Sequence, residues 1–117
     1  MSDVELWGLK TCGKCRKVRK TLENSGLSVV FRDVRSAPLS AAEIAELVDQ
    51  FSDRSLNRAS TTWRNLEQSE RARPAGVLIA AYPALMKRPV IRRGNMVWQG
   101  WDSEIEAAVL GLSDPSA

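Results

Sequence analysis

The chain contains no histidine. That absence removes Ser–His and Cys–His nucleophilic pairs, and imidazole acid–base chemistry with them. Cysteine is scarce too: Cys12 and Cys15 are the whole complement. A closed structural zinc site takes four Cys or His ligands, so zinc here would need carboxylates or a second subunit. Long apolar runs are missing, and none approaches the roughly 20 residues of a membrane-spanning helix. Asp3 and Glu5 come early with no extended apolar segment behind them, which is not a secretory-signal pattern. The expected location is the cytoplasm, with no membrane partner. There, a close cysteine pair is more often catalytic or redox-sensing than a structural staple. No repeat, low-complexity tract or linker interrupts the chain, so one domain over residues 1–117 is expected.

What is present gathers around Cys12-Gly13-Lys14-Cys15. This C-x-x-C lies between an apolar run at 4–9 and a segment that reads as a helix from about residue 15 to 24. At a strand-to-helix junction in a βαβ context, the spacing reads as a thioredoxin-like redox site. A cysteine attacks as the thiolate, so its pKa must fall. A helix N-terminus supplies unpaired N–H groups and partial positive charge for this. Lys10, Lys14, Arg16 and Lys17 add cations nearby. Cysteines so placed have pKa values of about 3.5 to 7.5, against about 8.5 unperturbed. Cys12, at the exposed end, is the expected nucleophile. Cys15, one turn on, is the expected resolving thiol for a mixed disulfide at Cys12. Two inert buried thiols are the plainer alternative.

The net charge is a modest +3, yet Lys10, Lys14, Arg16, Lys17, Arg19 and Lys20 fall together. They form either an anion-attracting surface beside the thiol or the solvated face of a helix. The first would suit glutathione carboxylates, an oxyanion or an acidic partner. Direct nucleic-acid binding is not expected.

Residues 4–9 read as a strand whose exit Gly8 loosens. The following helix places Cys15, Val18 and Leu22 on one stripe, and Gly26 stops it. Val29-Val30-Phe31 signals a buried strand, parallel to the first through a right-handed crossover. Ser40-Ala41-Ala42-Glu43 matches a capping box, followed by the stripe Ile44, Leu47, Val48 and Phe51. Residues 56–68 read as a turn and short helix with Trp63 and Leu66 inward. Pro74 opens another helix as its first residue, carrying Val77, Leu78 and Ala81 and ending at Pro83. Residues 87–91 and 96–99, joined by Gly94-Asn95, predict an antiparallel hairpin. Asp102 caps a last helix with Ile105, Ala108, Val109 and Leu112 on one face, and residues 113–117 read as a frayed tail. The order β-α-β, helices, β-β-α predicts an α/β, thioredoxin-like fold: a mixed four-stranded sheet with a helical insertion.

Three segments carry a resemblance over nearly the whole chain: Cys12-Gly13-Lys14-Cys15-Arg16-Lys17; Leu56-Asn57-Arg58-Ala59-Ser60-Thr61-Thr62-Trp63-Arg64-Asn65-Leu66; and Met86-Lys87-Arg88-Pro89-Val90. Gly100-Trp101-Asp102 before a helix also fits. The chain resembles the ArsC/Spx family of arsenate reductases, YffB-type proteins and Spx transcriptional regulators. The resemblance implies that Cys12 attacks arsenate or a thiol-disulfide partner. It implies that Arg88 contributes to oxyanion binding and that Pro89 is cis and faces the thiol. Arg58 and Arg64 are both candidates for the second oxyanion ligand, because the register of that segment is not clean. A guanidinium suits the task through its permanently charged fork of donors. Lys14 joins the anion-binding set, and Gly13 and Pro89 are expected to shape the site. Arsenate reductases of the family carry a third arginine in the last hairpin, and residues 95–101 here contain none. A second cysteine at position 15 is instead a feature of Spx-type members.

Two functions follow from the resemblance. One is a thiol-dependent oxidoreductase acting on a small oxyanion or a glutathione-type thiol. It would bind no cofactor and would draw electrons from glutathione, glutaredoxin or thioredoxin. The other is a redox-switch regulator, whose Cys12–Cys15 disulfide would control binding to RNA polymerase or another protein.

Overall fold

The computed structural model describes residues 4–111. The described residues group into two compact units: residues 4–32 with 88–111, and residues 33–87.

The first unit holds β1 (Val4–Gly8), α1 (Gly13–Asn24), β2 (Val29–Asp33), β3 (Val90–Arg93), β4 (Met96–Gln99) and α6 (Ser103–Gly111). The strands form one mixed sheet in the order β2-β1-β3-β4. β1 runs antiparallel to β3, with Leu6 opposite Ile91, and β3 runs antiparallel to β4. The expected thioredoxin-like architecture is therefore present. Side chains alternate across a strand, and β1 uses both faces. Val4 and Leu6 join Val18 and Leu22 of α1, Ile91 of β3 and Val109 of α6 in one buried cluster. Trp7, 1% exposed, points the other way. Its ring lies under the guanidinium groups of Arg32 and Arg92, at 5.5 and 5.3 Å, and its indole N–H donates to Glu5 Oε2 at 2.6 Å.

Two expectations fail here. β2 is not a buried strand: it lies at the sheet edge, and Val30 is 48% exposed. A run of β-branched residues signals a strand, but strand order decides how many of its faces are covered. In α6, Asp102 does cap, accepting from the Ile105 N–H at 2.8 Å. Val109 is buried and Ile105 partly so, whereas Ala108 is exposed. Leu112 and the tail expected at 113–117 lie outside the described residues.

The second unit is helical: α2 (Ala41–Phe51), α3 (Thr61–Arg64), α4 (Gln68–Arg71) and α5 (Ala75–Ala81), with 3₁₀ turns at Ser52–Ser55 and Pro83–Leu85. The capping box of α2 is formed: the Glu43 N–H donates to Ser40 Oγ, and the Ser40 N–H to Glu43 Oε1. Ile44 and Leu47 are buried, while Val48 and Phe51 are partly so. α2 packs on α5, with Ile44 and Val48 beside Gly76. Pro74 precedes α5 as its cap, one place outside the expected position. Leu78 and Ile79 face inward, and Val77 is 41% exposed. The expected short helix near Trp63 is α3, and α4 follows it as a second short helix. Trp63 and Leu66 are only partly buried, because the Trp63 ring lies between Arg58 and Arg71 rather than in a core. Among the described residues no helix is long and apolar enough to cross a membrane.

Candidate active site

β1 ends at Gly8 and α1 starts at Gly13, two residues earlier than the apolar pattern indicated. The reason is Cys12 itself. It holds an extended backbone (φ −83°, ψ 114°), and its Sγ accepts from the Cys15 N–H at 3.4 Å, as an N-cap side chain does. The turn is closed by the Cys12 N–H donating to the Leu9 carbonyl at 3.0 Å and the Arg16 N–H to the Cys12 carbonyl at 3.1 Å. Cys12 therefore stands at the positive end of the helix, with amide hydrogens directed at its sulfur.

The two thiols are free, and their surroundings tune them in opposite directions. Cys12 is partly exposed. Burial works against its ionisation. Hydrogen bonds from the Cys15 thiol and amide, the charge of Arg88 and the Lys14 amide outweigh that effect, so the pKa is lowered. Cys15 is fully buried. Burial pushes its thiol up to about 11, against a backbone hydrogen bond from Leu9 and the charge of Arg88, with the neighbouring Cys12 adding to the rise. The pair thus has one proton held on Cys15 and a sulfur ready to ionise at Cys12.

Gly8 has a different role from the one expected. A Cβ there would come within 2.5 Å of Cys15 Sγ and 3.1 Å of Cys15 Cβ. The residue does not loosen the strand exit; its lack of a side chain gives the Cys15 thiol its place against the β1 backbone. The sequence signal was a glycine inside a strand pattern, which marks a close approach as readily as a bend.

Arg88 and Pro89 lie just before β3. Their peptide bond is cis, the Pro89 carbonyl accepts from the Gly100 N–H at 2.8 Å, and the charge of Arg88 acts on both thiols. Lys14 is exposed in the first turn of α1, and Gly13 beside it meets nothing within 4 Å of where a Cβ would lie. Sterics therefore make no demand for glycine at 13. Arg58 and Arg64 belong to the second unit, where both are exposed and have local partners. Arg58 pairs with Asp53 at 3.5 Å and lies 5.4 Å from the Trp63 ring centre. Arg64 reaches Thr61 Oγ1 at 3.4 Å. Beside the cysteines, Lys10, Arg16, Arg19 and Phe31 line an open cavity of about 260 Å³. Sequence reading located the cations but not the ring that floors them.

Comparison with known proteins agrees with this picture. The chain is 30% identical over 107 residues to the global transcriptional regulator Spx of Bacillus subtilis, covering 86% of this chain and 82% of the regulator. Among solved structures, a YffB protein superposes with a TM-score of 0.79 at 27% identity, over 92% of this chain and 98% of that one. An arsenate reductase (ArsC) related protein from Brucella melitensis gives 0.72 at 31% identity, over 92% and 93%. The model of the ArsC family matches residues 7–108, and the chain belongs to that family.

Proposed function

We propose that this protein is a thiol oxidoreductase in which Cys12 attacks and Cys15 resolves. The observation that carries the reading is the opposite tuning of two thiols on one helical turn, with Cys12 lowered and Cys15 raised to about 11. The Cys12 thiolate attacks one sulfur of a substrate disulfide and expels the other as a thiolate, leaving a mixed disulfide on Cys12. Cys15 then gives its proton to the expelled thiolate and attacks Cys12 Sγ. The Cys12–Cys15 bond forms, the second half of the substrate leaves as a thiolate that takes a proton from solvent, and two electrons have passed to the substrate. Two glutathione molecules, or one dithiol glutaredoxin or thioredoxin, return them. With arsenate, the same thiolate would displace hydroxide from arsenic. Attack of Cys15 on Cys12 Sγ would then leave the S–As bonding pair on arsenic, releasing arsenite. Arg88 and Lys14 would hold the anion by charge-assisted hydrogen bonds.

The test is NADPH consumption coupled through glutathione reductase, glutathione and glutaredoxin. Arsenate and bis(2-hydroxyethyl) disulfide serve as separate substrates. Cys12→Ser should abolish turnover, and Cys15→Ser should alter only the resolving step. Wild-type rates in both variants would end the reading.

The identity with Spx supports a second reading. Here the Cys12–Cys15 disulfide would switch the affinity of the protein for RNA polymerase or another protein, without turnover. Equal recovery of purified polymerase by oxidised and reduced protein would remove it.

A further inference from the structure

Building on the oxidoreductase reading, we propose that the cavity lined by Lys10, Arg16, Arg19 and Phe31 is a substrate subsite. It takes the carboxylate side chains that flank the reacting cysteine of an acidic peptide disulfide.

The cavity adjoins the dithiol. The point where a Gly8 Cβ would lie is 2.5 Å from Cys15 Sγ and 3.5 Å from Phe31 Cε2, so the buried thiol and the ring that lines the cavity both flank Gly8. Lys10 precedes Cys12 by two residues, and the Arg16 N–H is bonded to the Cys12 carbonyl. The cavity walls are thus set on the same turn as the nucleophile. Arg19 lies over the Phe31 ring at 5.6 Å. Such a site matches a glutamate or aspartate: the fork of an arginine donates to both carboxylate oxygens, and the ring packs against the apolar stem.

The charge pattern of α1 points the same way. Acidic residues favour the first turn of a helix, and cations there oppose its dipole at about 0.3 to 1 kcal/mol each. α2 and α6 follow the rule, with Glu43 and with Glu104 and Glu106 in their first turns. α1 has no acid in its first turn, as is also true of α3 and α5. Residues 10–20 carry six cations and no acid, while the whole chain is only +3, so the rest of the chain carries a net −3. Glu23 pairs with Arg19 at 3.5 Å with both side chains about half exposed, a pairing of little strength. A carboxylate-rich substrate accounts for both the excess and its position beside the thiol. A nucleic acid would account for the charge but not for a dithiol at its centre.

The test compares two short peptide disulfides as substrates of the coupled glutathione assay. One has glutamates on both sides of its cysteine, the other lysines. The readout is the ratio of their kcat/KM values, in which any change in Cys12 ionisation cancels. Wild type should favour the acidic peptide by roughly tenfold or more at low salt, with the preference shrinking as salt rises. The Arg16→Gln/Arg19→Gln variant should lose most of that ratio, while Arg35→Gln/Arg54→Gln, which removes the same charge from the other unit, should keep it. Equal rates for the two peptides in wild type, with bis(2-hydroxyethyl) disulfide still turned over, would overturn the subsite and leave the oxidoreductase intact. Fluorescence polarisation of the S-methylated acidic peptide separates the two ideas. Binding lost in Arg16→Gln/Arg19→Gln supports the subsite even if no disulfide is reduced. Binding that a single-stranded oligonucleotide exceeds at equal charge overturns it in favour of nucleic acid.

Discussion

A thiol attacks only in proportion to its ionised fraction, so Arg88 matters at the scale of single residues. It is the one side-chain cation among the causes that lower the pKa of Cys12. The pH midpoint of Cys12 alkylation by iodoacetamide should therefore rise in Arg88→Gln and stay near wild type in Arg88→Lys. A point charge suffices for this effect, whereas oxyanion binding would miss the fork. Cys15, buried and raised to about 11, should resist labelling at neutral pH. Peptide mapping after a short pulse at pH 7 should find the label on Cys12. An unchanged midpoint in Arg88→Gln would remove the charge of Arg88 from the account of the nucleophile.

Within elements, the packing of β1 against α1 rests on Gly8. Alanine there would drive Cβ into Cys15 Sγ, and overpacking of this kind costs about 1 to 3 kcal/mol. Gly8→Ala should lower the urea midpoint accordingly. It should also raise the alkylation midpoint of Cys12, because the displaced Cys15 thiol supplies one of the hydrogen bonds that lower it. Gly13→Ala, in open space at the start of the same helix, should do neither and gains helix propensity. A midpoint of unfolding in Gly8→Ala equal to wild type would show that Cys15 can move without cost. The same elements mark where the sequence was readable. The capping box at Ser40 and Glu43, the Asp102 cap and the Gly94 turn were legible because each is decided within a few residues. The start of α1 was not, because a cysteine acts as the cap in place of the usual Ser, Thr, Asp or Asn. Val30 and Ala108 were misplaced because exposure depends on strand order and on which helix face is covered. The proximity of Arg88 to Cys12 was expected only through family resemblance. Nothing local ties residue 88 to residue 12.

For the molecule as a whole, the opposite tuning of the two thiols becomes a dependence of stability on pH. Cys12 has a folded pKa below the ordinary value of about 8.5. Its contribution is present above that value and is lost as pH falls through the folded pKa. Cys15 has a folded pKa of about 11, so its contribution is full below about 8.5. As pH rises from there the unfolded chain releases the Cys15 proton while the folded chain keeps it, and stability falls until both have ionised near pH 11. The informative quantity is the slope that Cys15 alone adds. Urea unfolding under reducing conditions, followed by tryptophan fluorescence at pH 8, 9 and 10, measures it. A Trp63→Phe background confines the signal to Trp7, Trp98 and Trp101 of the unit that contains the dithiol. Cys15→Ser in that background should lower stability at pH 8 and flatten the alkaline decline, since a hydroxyl does not ionise there. An equally steep decline with serine would mean that burial does not hold the Cys15 proton, and the division of labour between attacking and resolving thiols would lose its physical basis.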